Sequence, residues 1–189
     1  MKEVLISIQP KWCELIASGK KTVEVRKTKP KLETPFKCYI YMTAGNAVYP
    51  VKINGNLYTC SNVGGKCVIG EFVCDFIDEY KYDYCPHPEI GMDYDCGDNW
   101  WEISAEDLQN ACLTESEFRM YAWPKEIMYG WHISNLVIYD NPKELSEFRK
   151  FISFLEGESI EELEECGLKN LRITRPPQSW CYIEEGGAE

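Results

Sequence analysis

The chain has 189 residues, 44% hydrophobic and 13% aromatic, enough for one domain with a sizeable core and too many for a wholly disordered chain. Lys and Arg number 20 against 31 Asp and Glu, a formal net charge of −11, which excludes coating of nucleic acid or of an anionic membrane through bulk charge. No stretch approaches the ~20 apolar residues of a membrane span, and the 10 cysteines, with no CxxC pair, read as reduced, buried thiols of a cytoplasmic protein.

In chain order, Val4–Ile8 is apolar and β-branched and reads as a first strand, not a signal peptide. Pro10 opens a helix with Trp12, Cys13, Leu15 and Ile16 turned inward, and Gly19 caps it. Thr22–Lys27 alternates strictly: Val23 and Val25 face one way, Thr22, Glu24 and Arg26 the other. Phe36–Met42 is a strand, and Asn54-Gly55 between short apolar runs is a hairpin signal. Lys66–Ile77 predicts a longer strand in which Gly70 marks a bulge or a close backbone approach. Residues 78–101 read as an acid- and tyrosine-rich surface excursion. Ser104 to Asp107 and Thr114 to Glu117 have capping-box spacing and predict two short helices. Ile133–Tyr139 is a strand, Pro142–Leu155 a helix, and a last helix opens at Ser159. Arg175-Pro176-Pro177-Gln178 is extended and leads into a closing strand, Ser179–Ile183. Many short strands in mixed order with helices predict an α+β fold built on a small barrel or curled sheet. No GxGxxG or P-loop is present.

The most informative segment is Gly19-Lys20-Lys21-Thr22-Val23-Glu24-Val25-Arg26, which fits GxKxxExR. On one strand face Glu24 and Arg26 are close enough to pair, and the guanidinium offers a planar fork for phosphate or a base edge. Lys21 joins them only from the turn before the strand, which Gly19 permits. On physical grounds alone the same alternation fits a solvated edge-strand face.

With this motif the sequence resembles the ASCH domain family, a branch of the PUA-like β-barrel superfamily. Ile6-Ser7-Ile8-Gln9-Pro10-Lys11-Trp12 is similar to the family's lead-in, and Val68-Ile69-Gly70-Glu71-Phe72 to its central strand. Tyr121-Ala122-Trp123, Trp131-His132-Ile133 and Pro176-Pro177-Gln178-Ser179-Trp180 are similar to the longer bacterial and phage members. The resemblance implies one PUA-like domain over 1–189, with a barrel core at about 1–80 and 131–139 and a helical elaboration at about 104–122 and 142–183. It also implies that the motif lines a cleft between barrel and helix. Some superfamily members are acetylcytidine amidohydrolases described with a lysine, a threonine and a glutamate. Lys21 matches the lysine, but the motif threonine falls at Glu24, a departure from that pattern.

The expected ligand site is therefore Lys11, Trp12, Lys21, Glu24, Arg26, Lys27, Gln178 and Trp180. Trp12 and Trp180 would stack a base, and Lys11 and Lys27 would meet phosphate. Lys21 and Glu24 form the acid–base pair if the protein is an enzyme. The expected partner is RNA or a nucleoside or nucleotide, with no membrane. The alternatives are a nucleoside-directed hydrolase and a protein-interaction adaptor using the acidic surface. Cys85, His87 and Cys96 are candidate zinc ligands with no strong zinc spacing, so no metal or cofactor is expected. His132 reads as a satisfied, partly buried histidine. The six basic residues at 20, 21, 26, 27, 29 and 31 face Glu24 alone, so a locally basic cleft survives the acidic total.

Overall fold

A computed structural model describes residues 2–44, 51–58, 66–83, 100–151 and 172–184. Its strands are β1 (Lys2–Ile8), β2 (Val23–Arg26), β3 (Phe36–Met42), β4 (Val51–Ile53), β5 (Asn56–Tyr58), β6 (Cys67–Asp83), β7 (Trp100–Trp101), β8 (Ile127–Glu144) and β9 (Trp180–Glu184). The helices are α1 (Pro10–Ala17), α2 (Ala105–Asn110) and α3 (Glu115–Ala122), with one 3-10 turn at Leu145–Glu147. The main sheet runs β2-β8-β6-β3-β1-β9, with β7 paired to β6. β1 and β3 are parallel; the other pairs are antiparallel. The fold is thus mixed α+β and sheet-dominated, and the ladder is not closed into a barrel among the described residues.

Period-2 alternation explains how one sheet is covered twice. Val4, Ile6 and Ile8 of β1 and Cys38, Ile40 and Met42 of β3 pack with Cys13 and Ile16 of α1 and with Trp131 of β8. The intervening Leu5, Tyr39 and Tyr41 pack on the other face with Phe148, Ile173 and Ile183. A third cluster holds Val23 and Val25 of β2 against Tyr80, Met128, Trp101 and Phe118. The long pair β6–β8 joins the first and third clusters, bent by three register shifts. One shift lies at Gly70, where an added methyl would strike the Val137 carbonyl oxygen, so the expected close approach is real.

Two expectations need correction. Asp78–Asp83 continues β6, and Trp101 returns to pair with Tyr82, so the ends of the 78–101 stretch are sheet; residues 84–99 lie outside the described residues. β8 extends to Glu144, so the helix read from Pro142 is absent over its described part. Its apolar spacing serves a single 3-10 turn: Leu145 and the fully buried Phe148 reach the cluster under β1 and β3, where Phe148 meets Tyr39 edge-on at 5.1 Å. Arg149 and Lys150 then bridge to Arg172 and Ile183 as extended chain. The helix expected from Ser159 lies outside the described residues. No helix among the described residues is long and apolar enough to cross a membrane.

Candidate functional site: a buried Lys-Glu-Arg cleft

Helix α1 sets up the site. Gly19 takes φ +72°, a conformation that costs a residue with Cβ dearly. The chain then turns so that the Lys20 and Lys21 amides both donate to the Leu15 carbonyl. This places Lys21 in the turn before β2, on the side of Glu24 and Arg26. The solvated-face reading does not hold: Lys21, Glu24 and Arg26 are 3%, 6% and 7% exposed.

The three side chains form one chain of charge. Lys21 Nζ lies 3.4 Å from Glu24 Oε2, and Arg26 Nη2 lies 2.9 Å from Glu24 Oε1. Lys21 also donates to the Ala111 carbonyl at 2.7 Å, from the end of α2. Arg26 Nη2 donates to the Ser7 carbonyl at 2.7 Å, and Nη1 to Ser179 Oγ at 3.4 Å. These bonds tie β2 to β1 and to the segment before β9 without ladder pairing. Arg26 Nε, also buried, has no partner among the described residues. Two cations and one anion leave the triad with one uncompensated positive charge. Burial makes that charge costly unless a negative or polar group meets it.

A cleft of about 640 Å³ opens over the triad. Trp12 and Gln178 line it beside Lys21, Glu24 and Arg26, so five expected residues come together. Lys11 and Lys27 stand on aromatic rings at its margin. Lys11 Nζ is 4.1 Å from the Trp12 ring and 3.9 Å from Glu117; Lys27 Nζ is 5.3 Å from the Tyr121 ring and donates to the Trp123 carbonyl. Trp180 is elsewhere: it packs on Trp131 at 6.0 Å and donates Nε1–H to Thr28 Oγ1. The expectation of a stacking role rested on its family-like stretch, whereas its ring is partly buried and packs against the core cluster.

The wall facing α1 was missed by sequence reasoning. It comes from α3, through Glu117, Met120 and Tyr121. Its local sequence signal is Glu117, which closes the Thr114 capping box and so fixes the helix start. Bonds from the Thr114 N–H and hydroxyl, with Lys11 adding, hold the Glu117 carboxyl below its usual range. Desolvation raises the Tyr121 phenol, opposed by Arg26, so it stays a protonated hydrogen-bond donor at neutral pH. Ser7, Gln9 and Thr43 supply further polar groups.

The other candidates resolve plainly. His132 is partly buried, bonded to Asp78 at 2.8 Å and stacked on Phe76, as expected of a satisfied histidine. Cys13, beside the triad, is pushed far up by burial and then by Glu24, which leaves it a thiol rather than a nucleophile. Burial likewise pushes Cys67 and Cys181 up to about 11 and Cys74 to about 12. Cys85, His87 and Cys96 lie outside the described residues.

Comparisons with known proteins agree with this architecture. Residues 6–72, which hold α1 and the triad, match the family model of the ASCH domain. A search of curated proteins found no match. Among solved structures, the crystal structure of ASCH from Zymomonas mobilis superposes with a TM-score of 0.53 at 19% identity, covering 98% of this chain and 90% of that one. A tyrosine-to-phenylalanine mutant of the same Zymomonas mobilis protein gives the same score and identity over 99% and 94%, and a serine-to-alanine mutant over 98% and 90%. Residues 6–72 thus match the ASCH domain model, and the fold across nearly the whole chain is similar to that of the Zymomonas mobilis ASCH structures.

Proposed function

We propose that this protein binds RNA or a modified nucleoside in the cleft over Lys21, Glu24 and Arg26. One observation carries the reading: a buried triad with an excess positive charge and an unsatisfied Arg26 Nε forms the floor of a cleft sized for a nucleotide. Arg26 and Lys21 supply the donors for phosphate or a carbonyl edge, and Glu24 the acceptor for an exocyclic amine. Trp12 and Tyr121 offer rings for stacking, worth about 1–3 kcal/mol per base in single-strand readers. In this reading the curled sheet is a PUA-like barrel whose seam is made by Arg26 with Ser7 and Ser179. Helices α2 and α3 are elaborations of the same unit, since Phe118 packs directly on Tyr80 and Trp101. Unpaired, burial-raised thiols suit a reducing, cytoplasmic setting.

A second reading, a nucleoside-directed hydrolase, draws on the 3.4 Å Lys21–Glu24 pair as an acid–base couple. Against it, Lys21 is already tied to the Ala111 carbonyl, and no threonine stands at position 24. A Glu24→Gln variant separates the two. Calorimetry with cytidine and acetylated nucleosides should show weakened binding and no acetate release from either protein. Acetate release by the wild type, lost in Glu24→Gln with affinity kept, would establish the hydrolase instead.

A further inference from the structure

Away from the cleft, on the face of β6 and β8 that α2 covers, the side chains of Asp78, Asp107 and His132 converge. One ligand atom from each lies within 4.8 Å of the other two. They come from three elements: Asp78 from β6, His132 from β8, and Asp107 from the first turn of α2. Asp78 pairs with Gly130 in register, and His132 follows two residues along the same strand, so the pleat puts both on one face. Each is already oriented. Phe76 stacks on the His132 ring at 3.7 Å, and Ser104 Oγ donates to Asp107 Oδ2 at 2.8 Å. Among the described ion pairs no lysine or arginine neutralises either carboxylate.

A second observation points at the same spot. Tyr80 is 3% exposed, and its buried hydroxyl has no hydrogen-bond partner among the described residues. Its register partner is Met128, yet the hydroxyl lies over Gly130, where an added methyl would strike it. The ring therefore leans along the sheet towards Asp78, which is Gly130's partner. A buried hydroxyl left without a partner is costly unless something meets it.

We propose that Asp78, Asp107 and His132 bind one divalent transition-metal ion of the zinc type, with Tyr80 closing the inner side. One imidazole and two carboxylates suit zinc over calcium or magnesium, and at bonds of roughly 2.0–2.2 Å such donors lie about 3–4 Å apart. His132 binds through Nε2 in its Nδ1–H tautomer. The bound ion clamps α2 to the sheet. The end of α2 carries the Asn110 carbonyl that accepts from the Thr22 N–H at 2.9 Å and the Ala111 carbonyl that holds Lys21. The ion thus braces the platform that positions Lys21.

The test uses chelator-stripped full-length protein in equilibrium dialysis against Zn²⁺, with Co²⁺ as a spectroscopic probe. One equivalent per chain is expected, with weak visible Co²⁺ bands and no thiolate charge-transfer band. Asp107→Asn and His132→Gln, checked for unchanged circular dichroism, should each lose affinity by roughly 100-fold or more. A Cys85→Ser/Cys96→Ser variant should bind as wild type. Failure of the wild type to take up an ion, a thiolate–cobalt band at one equivalent, or unchanged affinity in either folded variant would overturn the proposal. Should one variant not fold, the other and the wild-type stoichiometry still decide.

Discussion

At the residue scale, Glu24 is the keystone of the site, because among the described residues it is the one carboxylate paired with both buried cations. Removing one partner of a buried pair leaves the others desolvated and unmatched, at a cost of about 3–5 kcal/mol. Glu24→Gln, which keeps size and an acceptor oxygen, should therefore lower unfolding stability by about 3 kcal/mol in urea titrations at neutral pH. An unchanged midpoint would mean that solvent reaches the triad and that its burial is misjudged. The sequence went far at this scale. GxKxxExR placed Lys21, Glu24 and Arg26 together, and Gly19 explained how Lys21 reaches the face of Glu24. It did not place Trp180, because a stretch that resembles a family says nothing about which way a strand residue points. It also missed the convergence of Asp78, Asp107 and His132, whose separation in the chain follows no ligand spacing.

At the element scale, α3 forms the second wall of the cleft, so its start signal bears on the site. Thr114 Oγ1 accepts from the Glu117 N–H while Glu117 reaches back to the Thr114 N–H. Thr114→Ala should cost about 1 kcal/mol and weaken ligand binding through loss of order at Met120 and Tyr121. Because the folded state holds the Glu117 carboxyl below its unfolded value, this support is present above the unfolded pKa. It is lost as pH falls through the folded one. A urea midpoint that drops on acidification below pH ~4 should drop less in Glu117→Gln; parallel profiles would refute the assignment. Both helix starts were legible because capping chemistry is local, although only Thr114 and Glu117 form the reciprocal box; Ser104 caps α2 from one side. The supposed helix from Pro142 was misread because its apolar spacing fits helix and 3-10 turn alike, and only the distant contact of Phe148 with Tyr39 decides between them. Along β6–β8, Gly70→Ala should be more damaging than Gly130→Ala. The first meets backbone of β8, while the second meets the ring of Tyr80. Thermal unfolding of the two variants makes the comparison, and the reverse order would mean that β8 yields more readily than Tyr80.

At the scale of the whole molecule, the net charge is −11, while the cleft is lined by the cations Lys21 and Arg26 and the carboxylates Glu24 and Glu117. Such a field opposes long polyanions and admits a short ligand. Binding of a short single-stranded RNA should therefore depend weakly on salt, with a log–log slope of about −1 to −2, as expected for two or three phosphates. A slope several times steeper would indicate an extended basic track that the described surface does not provide. The α+β class and most strands could be read from alternation and turn residues. The curvature that brings Arg26 to Ser7 and Ser179 could not, because it arises from register shifts between strands remote in sequence.

The central claim is that the triad floor is where the ligand sits, and shift mapping on ¹⁵N-labelled protein tests it without altering a residue. Titration with a nucleoside monophosphate panel and a short RNA should move the amides of residues 21–26, the Arg26 Nε–H and the Trp12 indole N–H together, with one saturation curve. Shifts absent from this set, or centred on the sheet face around Phe76 and Val137, would contradict the account.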